Sequence, residues 1–229
     1  MPGRSRPGRS SGGSLGQHFL ASDALATRLA READIVASDV VIDVGAGYGA
    51  LTAAAAGRGA RVFSLEIDPA LAAGLTGRFA TSSSVTVFEC DGLEFPLPST
   101  PFRVLANPPF HRTAALLHRL LDDPTRGMVR ADVVVQWQVA RARAQAGEQR
   151  PLDLAGAQWG PWWCFRRGRR LPAALFRPSP SVDAAVLTIT RRRPALLPAA
   201  DAPRYAEFVR RRFATTPAPR RVDDWVRRF

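Results

Sequence analysis

The sequence has no lysine, few cysteines and no long apolar run. All 32 of its Lys+Arg residues are arginine. The two cysteines, Cys90 and Cys164, are too few for a disulfide scaffold, so we expect both to be reduced residues of the core. No apolar run approaches the roughly 18 residues of a membrane span, and the first residues lack the apolar stretch of a secretory signal. These absences predict a cytoplasmic protein that does not contact a membrane.

Histidine is also scarce. His18, His111 and His118 have no Cys or His partners at the spacing of metal ligands. We therefore interpret them as ordinary polar residues and predict no metal site.

The net charge of +12 comes entirely from the C-terminal part of the chain. Residues 1–140 contain 13 arginines and 13 acidic residues, whereas residues 141–229 contain 19 arginines and 7 acidic residues. A GC-rich gene favours arginine over lysine, but it does not explain this one-sided distribution. The clusters predict a surface that binds a polyanion, because the planar guanidinium can donate two hydrogen bonds to one phosphate. The alternative is a solvated face that keeps the protein soluble. The arginines expected to contact the polyanion are Arg166, Arg167, Arg169, Arg170, Arg210, Arg211 and Arg212.

The order of apolar segments predicts an α/β fold. At 46% hydrophobic residues the chain can bury a core, but residues 1–14 are rich in Gly, Ser, Arg and Pro and should form a flexible basic arm. Ser22 or Asp23 should cap a first helix that buries Ala24, Leu25, Leu29 and Ala30. Short apolar strands then alternate with helical segments, which is typical of a parallel sheet covered on both faces. The predicted strands are Val40–Val44, Arg61–Leu65, Val85–Cys90, Phe102–Ala106 and Asp132–Gln136.

The pattern changes after the last of these strands. A helix is predicted at Trp137–Ala146, and two antiparallel strands at Trp159–Phe165 and Ala184–Thr190, joined by a basic loop that contains proline. Trp159, Trp162 and Trp163 could stack on bases, but tryptophan-rich strands are more typical of a core. A final helix is expected at Tyr205–Phe213. We divide the chain into the arm, a main domain at 15–193 and a short helical extension at 194–229.

Polar residues follow four successive strands. The first strand runs into a turn that contains Gly45 and Gly47, where the backbone can approach a ligand closely. Glu66 ends the second strand, 21 residues after Gly45, where a carboxylate binds ribose in nucleotide sites. Asp91 follows the third strand and Asn107 the fourth. Because parallel strands end at one edge of a sheet, these residues predict a single binding site there.

Residues 107–110, Asn-Pro-Pro-Phe, point to the chemistry of that site. Methyl transfer to an exocyclic amine needs acceptors for its hydrogens, and the Asn107 side-chain oxygen and the Pro108 carbonyl can supply two. Phe110 offers a flat face for an extruded base. The alternative interpretation of Asn-Pro-Pro is a simple turn.

Five motifs, in their order along the chain, resemble those of a known family. They read GQHFL, VIDVGAGYGALT, LEID, NPPF and LFRPSPSVDAAVLTITRR. This order resembles that of the rRNA adenine N6-methyltransferases, over residues 15–213. The segments Gln136–Arg141, Ala157–Trp162 and Tyr205–Phe213 resemble Erm-type resistance enzymes more than the small-subunit dimethylase.

The resemblance implies a fold, a reaction and a set of residues. The fold would be a Rossmann-like class I S-adenosylmethionine-dependent methyltransferase with a small basic helical C-terminal extension. The reaction would be methylation of an adenine N6 in 23S rRNA by a monomer, which confers macrolide, lincosamide and streptogramin B resistance. The implied catalytic residues are Asn107, Pro108 and Phe110. The implied S-adenosylmethionine-binding residues are Gln17, His18, Leu20, Gly45, Gly47, Glu66, Ile67, Asp91 and Asn107.

Two departures and two alternatives remain open. The family motif usually reads Q-N-F-L, so the cofactor contact of His18 is an open question. The C-terminal helical domain of the family is longer than the segment after Thr190, which would shift RNA binding toward the basic loops between Phe165 and Phe176. The alternatives are a DNA adenine or protein-glutamine methyltransferase and a non-catalytic RNA-binding assembly factor.

Overall fold

The computed structural model describes residues 16–145, 152–213 and 221–229. The predicted arm at 1–14 lies outside these residues. The strands are β1 (Phe19–Leu20), β2 (Val40–Val44), β3 (Arg61–Glu66), β4 (Val85–Glu89), β5 (Phe102–Ala106), β6 (Met128–Gln136), β7 (Trp163–Leu171), β8 (Phe176–Arg177) and β9 (Ala184–Arg191). The α-helices are α1 (Asp23–Glu32), α2 (Ala50–Ala56), α3 (Pro69–Arg78), α4 (Thr113–Leu121), α5 (Trp137–Gln145), α6 (Leu154–Trp159), α7 (Ala202–Phe213) and α8 (Val222–Val226).

The main sheet has the strand order β4-β3-β2-β5-β6-β9-β7. Strands β2 to β6 in this sheet are parallel, while β9 runs antiparallel to both β6 and β7. The predicted α/β fold is therefore confirmed. The chain runs outward from β2 to β4 and then returns to place β5 on the other side of β2. Such a reversal opens a crevice at the carboxyl ends of β2 and β5, where ligands bind in open α/β sheets.

Helix α1 begins and packs almost as predicted. The Ser22 side chain accepts a hydrogen bond from the Ala24 N–H and caps the helix. Leu25, Leu29 and Ala30 are buried together with Ala26. The prediction that Ala24 lies on this buried face was wrong. Ala24 is exposed because the buried positions follow the spacing i, i+1, i+4 and i+5 from Leu25.

The segment around the tryptophans differs most from the prediction. Residues 154–159 form α6, whose Asp153 cap accepts a hydrogen bond from the Gly156 N–H, so the strand starts only at Trp163. Residues 166–170, predicted as a loop, continue β7 and pair with β9. An edge strand exposes much of its surface to water, so it can contain arginines that a central strand could not. The apolar pattern of the sequence ends at Phe165, but the strand continues to Leu171.

Burial within this segment follows from the same strand. Trp159, Trp162 and Trp163 are buried, which confirms the expectation that they belong to the core. Cys164 is exposed, so its assignment to the core was wrong: it lies on the edge strand between Trp163 and Phe165. Cys90 is half-buried.

The C-terminal helices pack on the core of the sheet. Tyr205 and Val209 of α7 and Trp225 of α8 are fully buried in the same apolar cluster as the strand residues of β5, β6 and β9. The Trp225 ring stacks on Phe213 and meets Phe208 edge-on. The division at 193/194 stays a prediction, but the extension and the sheet share this cluster. Among the described residues, no helix is both long enough and apolar enough to span a membrane.

Replacing Trp225 by alanine should destabilise the whole domain. Its side chain is fully buried in the shared cluster, so we expect Trp225→Ala to lower the free energy of unfolding by about 3–5 kcal/mol. Urea denaturation followed by circular dichroism measures the change. Arg228→Ala, an exposed position next to α8, serves as the control and should change stability by less than about 0.5 kcal/mol. Equal small effects of both variants would show that α8 does not stabilise the core.

Candidate active site

The predicted site residues meet at the carboxyl edge of the sheet. Two small cavities of about 50 and 40 Å³ lie there, and Gly45 lines both. The first cavity is lined by Gln17, Glu66, Ile67, Asp91 and Pro108, among others. The second is lined by Leu20, Asp43, Ala46, Tyr48 and Asn107, among others. The structure thus brings residues from four strand ends and the GQHFL segment around one glycine turn.

The glycine turn after β2 leaves no space for a side chain at its second glycine. Gly47 has a φ of 58°, and a Cβ atom there would lie 2.7 Å from the Phe19 ring. Only glycine adopts this positive φ without strain and has no Cβ atom to collide with the ring. The turn consequently packs directly against β1.

The Glu66 carboxylate ties this turn to the end of β3. It is buried, and it accepts hydrogen bonds from the Gly47 N–H at 2.7 Å and from the Ile67 and Asp68 N–H groups at 2.9 Å. Several backbone donors can stabilise a buried carboxylate. Since a carboxylate has about four acceptor positions, Glu66 can still accept a bond from a ligand. Its contact with a ribose stays a prediction.

Asp91 has a partner that the sequence did not reveal. The Arg112 guanidinium forms a salt bridge with it at 2.6 Å, and the Leu93 N–H donates to the same carboxylate. Partial burial raises the pKa of Asp91, but these hydrogen bonds and the Arg112 charge outweigh that effect and hold the pKa below its usual range. Arg112 also lines the first cavity. The signal for Arg112 was weak, because one arginine after Phe110 forms no pattern.

Asp43 is a second buried carboxyl group at the site. One of its oxygens accepts a hydrogen bond from the Thr52 hydroxyl at 2.7 Å, while the other has no partner among the described residues. Burial raises the pKa of Asp43 to about 7, against the Thr52 hydrogen bond, and the nearby Glu66 charge adds to the increase. The sequence pattern assigns no function to this acid, although it lies in the strand that leads into the glycine turn.

The side chain of Asn107 has a defined orientation. Its amide nitrogen donates a hydrogen bond to the His18 carbonyl at 2.7 Å. A carbonyl can only accept, so this partner identifies the amide nitrogen and leaves the amide oxygen for another donor. The backbone after Pro109 forms a single 3₁₀ turn, Phe110–Arg112, that precedes α4.

The GQHFL segment is held by a strand that is distant in the sequence. Strand β1 pairs with β8 so that Phe19 faces Arg177 and Leu20 faces Phe176. The His18 ring hydrogen-bonds to the Pro178 carbonyl at 2.8 Å and lies 5.5 Å from the Phe110 ring. Gln17 and Leu20 line the two small cavities, whereas His18 lines a third, wider groove of about 340 Å³ with Phe110. The position of His18 therefore does not support the cofactor contact that the resemblance implies for it.

The arginine cluster of β7 is divided between the two faces of the sheet. Arg166 pairs in register with Thr188 and lies on the α1 face, where Arg169 forms a salt bridge with Glu32. On the opposite face Arg167 and Arg170 lie over the Trp137 ring, at 4.6 and 5.0 Å from its centroid. Arg170 also forms a salt bridge with an acidic side chain, Asp183, at 2.7 Å.

Only part of the cluster is neutralised. Neither Arg166 nor Arg167 makes a salt bridge with any residue in the described part of the chain. In α7, Arg210 and Arg211 share the single carboxylate of Glu207, and Arg212 lies over the Phe208 ring. RNA binding by these residues stays a prediction.

Comparisons with known proteins find similar sequences and a similar fold. The sequence model of the ribosomal RNA adenine dimethylase family matches residues 10–218. An rRNA adenine N-6-methyltransferase of Corynebacterium diphtheriae is 39% identical over 178 residues, which cover 77% of this chain and 67% of that protein. The mycinamicin-resistance protein MyrB of Micromonospora griseorubida is 35% identical over 225 residues, covering 93% of this chain and 70% of that protein. This chain thus spans about two thirds of the length of these relatives.

A solved structure is similar over nearly the whole chain. The crystal structure of the 23S rRNA methyltransferase ErmE superposes with a TM-score of 0.75 at 28% sequence identity. The match covers 92% of this chain and 84% of that one. The resemblance seen in the five sequence motifs is thereby confirmed.

The unusual carboxyl group of Asp43 should be visible in the pH dependence of stability. In the folded protein burial raises the pKa of Asp43 from 3.8 to about 7. Between these values the folded protein keeps a proton that the unfolded chain has lost, so the free energy of unfolding falls as pH rises, by roughly 4 kcal/mol at most. Asp43→Asn keeps the acceptor for Thr52 and has no proton to lose. We expect its stability to fall less steeply than that of the wild type between pH 4 and 7.

Urea denaturation of the cofactor-free proteins at several pH values measures this difference. Asp23→Asn, which alters an exposed carboxyl group in α1, is the control and should retain the slope of the wild type. If Asp43→Asn also retained that slope, Asp43 would not be protonated in the folded protein.

Proposed function

The chain belongs to the ribosomal RNA adenine dimethylase family, and on that premise we propose that it transfers methyl groups from S-adenosylmethionine to an adenine N6 in 23S rRNA. The likeness to ErmE and to a mycinamicin-resistance protein supports the choice of 23S rRNA. By the same likeness, the modification would confer resistance to macrolide, lincosamide and streptogramin B antibiotics.

The orientation of Asn107 carries this proposal. With its amide nitrogen bound to the His18 carbonyl, the amide oxygen can accept a hydrogen bond from the target amine. The Pro108 carbonyl would accept the second one. This arrangement would direct the nitrogen lone pair toward the methyl carbon. As the N–C bond formed, the bond from that carbon to sulfur would break with its electron pair left on sulfur, and the methylated nitrogen would then lose one proton to water. Phe110 would stack on the extruded base.

The two small cavities suit the cofactor in their chemistry. Glu66 would bind the ribose hydroxyls, and Asp91 would accept a hydrogen bond from the adenine amine. The half-exposed Ile67 would pack on the adenine ring. On the other side of Gly45, Asp43 lines the second cavity, and one of its carboxyl oxygens has no hydrogen-bond partner among the described residues. The bound cofactor supplies a methyl group that its sulfonium already activates, so the protein needs no nucleophile, and positioning by these residues accounts for the rate.

The exposed arginines of β7 would bind the RNA backbone. Arg166 and Arg167 are the members of the cluster without a salt bridge in the described residues, so their charge is available to phosphate. The pairing register of this edge strand shifts after Arg167, at Gly168. RNA would therefore contact an arginine-bearing strand rather than a flexible basic loop.

A labelling experiment distinguishes this activity from the alternatives. The protein is incubated with radiolabelled S-adenosylmethionine and, in parallel, with protein-free 23S rRNA, assembled ribosomal subunits, DNA and translation factors. We expect label in 23S rRNA at an adenine. Label confined to DNA or to protein would refute the rRNA assignment, and RNA binding without any label would favour a non-catalytic assembly factor.

Asn107→Ala should abolish methylation and leave RNA binding nearly intact. The substitution removes an acceptor of the reacting amine but no phosphate contact, so we expect a loss of at least about 100-fold in kcat. Single-turnover methylation and filter binding measure the two properties. Thr86→Ala, at an exposed position on the edge strand β4, is the control. Equal losses of methylation and binding would refute the assigned role of Asn107.

The two arginine pairs of β7 should contribute unequally to RNA binding. The double variant Arg166→Gln/Arg167→Gln removes two charges without salt bridges, so we expect the slope of log affinity against log salt to fall in magnitude by about 1.5. The matched variant Arg169→Gln/Arg170→Gln removes charges that Glu32 and Asp183 already neutralise, and its slope should change by less than half as much. Similar slopes for both variants and the wild type would identify the cluster as a solvated face.

A further inference from the structure

The groove beside the two cavities contains a histidine that the proposed chemistry does not use. This outer groove has a volume of about 340 Å³ and is lined by His18, Phe110, His111, Gln136 and Ser181, among others. Phe110 is the residue expected to stack on the target base, so the groove lies on the side from which RNA would enter. Gln17, the chain neighbour of His18, lines the cavity of Glu66 instead. The GQHFL segment thus presents successive side chains to two different spaces.

The hydrogen bond to Pro178 determines which imidazole nitrogen is free. The His18 Nδ1 atom lies 2.8 Å from the Pro178 carbonyl oxygen. A carbonyl has no hydrogen to donate, so Nδ1 must bear the proton. In a neutral imidazole the lone pair is then on Nε2. Nε2 has no hydrogen-bond partner among the described residues, which leaves an acceptor available to a molecule in the groove.

Contacts on three sides keep this acceptor in place. The Pro178 carbonyl holds the ring at Nδ1, the Phe110 ring lies 5.5 Å away at an angle of 40°, and the His18 backbone carbonyl receives the Asn107 amide. The two rings are inclined, so a flat base stacked on Phe110 would have the imidazole beside it rather than in the same plane. The His18 carbonyl connects this pair of rings through one hydrogen bond to the residue expected to hold the reacting amine.

We propose that His18 contacts the RNA substrate rather than the cofactor, with Nε2 accepting a hydrogen bond from an N–H or O–H group of the target adenosine. This inference rests on the proposed function. It assigns to His18 the task of fixing the nucleotide against Phe110, while Asn107 fixes the amine. It also gives a reason for a histidine where the related motif usually has asparagine: asparagine can reach the Pro178 carbonyl but has no atom at the position of Nε2.

Two substitutions distinguish the roles of the two imidazole nitrogens of His18. His18→Asn retains a donor near the position of Nδ1 and removes the acceptor at Nε2. His18→Gln places an amide oxygen near the position of Nε2 and gives up the bond to Pro178. For both proteins we would measure kcat and KM with a 23S rRNA fragment that contains the target adenine, and the Kd of S-adenosylmethionine by calorimetry. Circular dichroism verifies that both variants are folded.

We expect His18→Asn to raise the KM for RNA about tenfold, the effect of one lost hydrogen bond, while the Kd of the cofactor stays within about twofold. His18→Gln should keep the KM within about threefold of the wild type. If His18 acted only through its structural bond to Pro178, this variant would lose that bond and its KM would rise as well. An unchanged KM in His18→Asn, or a tenfold increase in its cofactor Kd, would overturn the inference and return His18 to the cofactor site. Failure of the wild-type protein to methylate any RNA would overturn the proposed function and this inference together.

Discussion

The buried Glu66 carboxylate is the constraint on which the geometry of the site depends. An isolated carboxylate in an apolar interior is unstable, so the chain must supply donors around it. It does so with three backbone N–H groups, from Gly47 in the glycine turn and from Ile67 and Asp68 after β3. The carboxylate therefore draws the turn after β2 toward the end of β3. A residue without a side-chain acceptor at position 66 would leave these donors unpaired and the turn without its anchor.

That anchor extends to parts of the chain distant in sequence. Gly47, held by Glu66, has space only for a hydrogen atom where the Phe19 ring packs, so the position of the turn determines that of β1. Strand β1 in turn pairs with β8, and the carbonyl of His18, directly before β1, accepts a hydrogen bond from the Asn107 amide. The glycine turn, β1 and Asn107 are thus coupled by packing and by single hydrogen bonds, which explains why the GQHFL segment and the Asn-Pro-Pro-Phe turn lie together at one edge of the sheet.

The sequence predicted the elements whose buried residues form a regular apolar pattern. It missed those that depend on solvent exposure or on contacts between distant residues. Strands β2 and β5 were predicted with their observed bounds, because buried parallel strands are almost continuously apolar. Strand β7 was cut short at Phe165, since an edge strand with one exposed side needs no apolar pattern beyond that point. The ends of parallel strands located Glu66, Asp91 and Asn107 without knowledge of the fold. The Arg112 partner of Asp91 follows no local rule, because their contact joins two segments that meet only in the folded chain.

Charge that is clustered in sequence is not necessarily clustered in space. Alternation along β7 sends Arg166 and Arg167 to opposite faces, and the register shift after Arg167 lets Arg169 reach α1 while Arg170 stays over Trp137. The net charge of +12 therefore overstates the charge that a phosphate backbone can meet at any one face. In the proposed function a strand edge would compensate for this loss, because strand pairing already holds its arginines at a fixed spacing. A basic loop would have to become ordered on binding to do the same, at an entropic cost for each residue that it fixes.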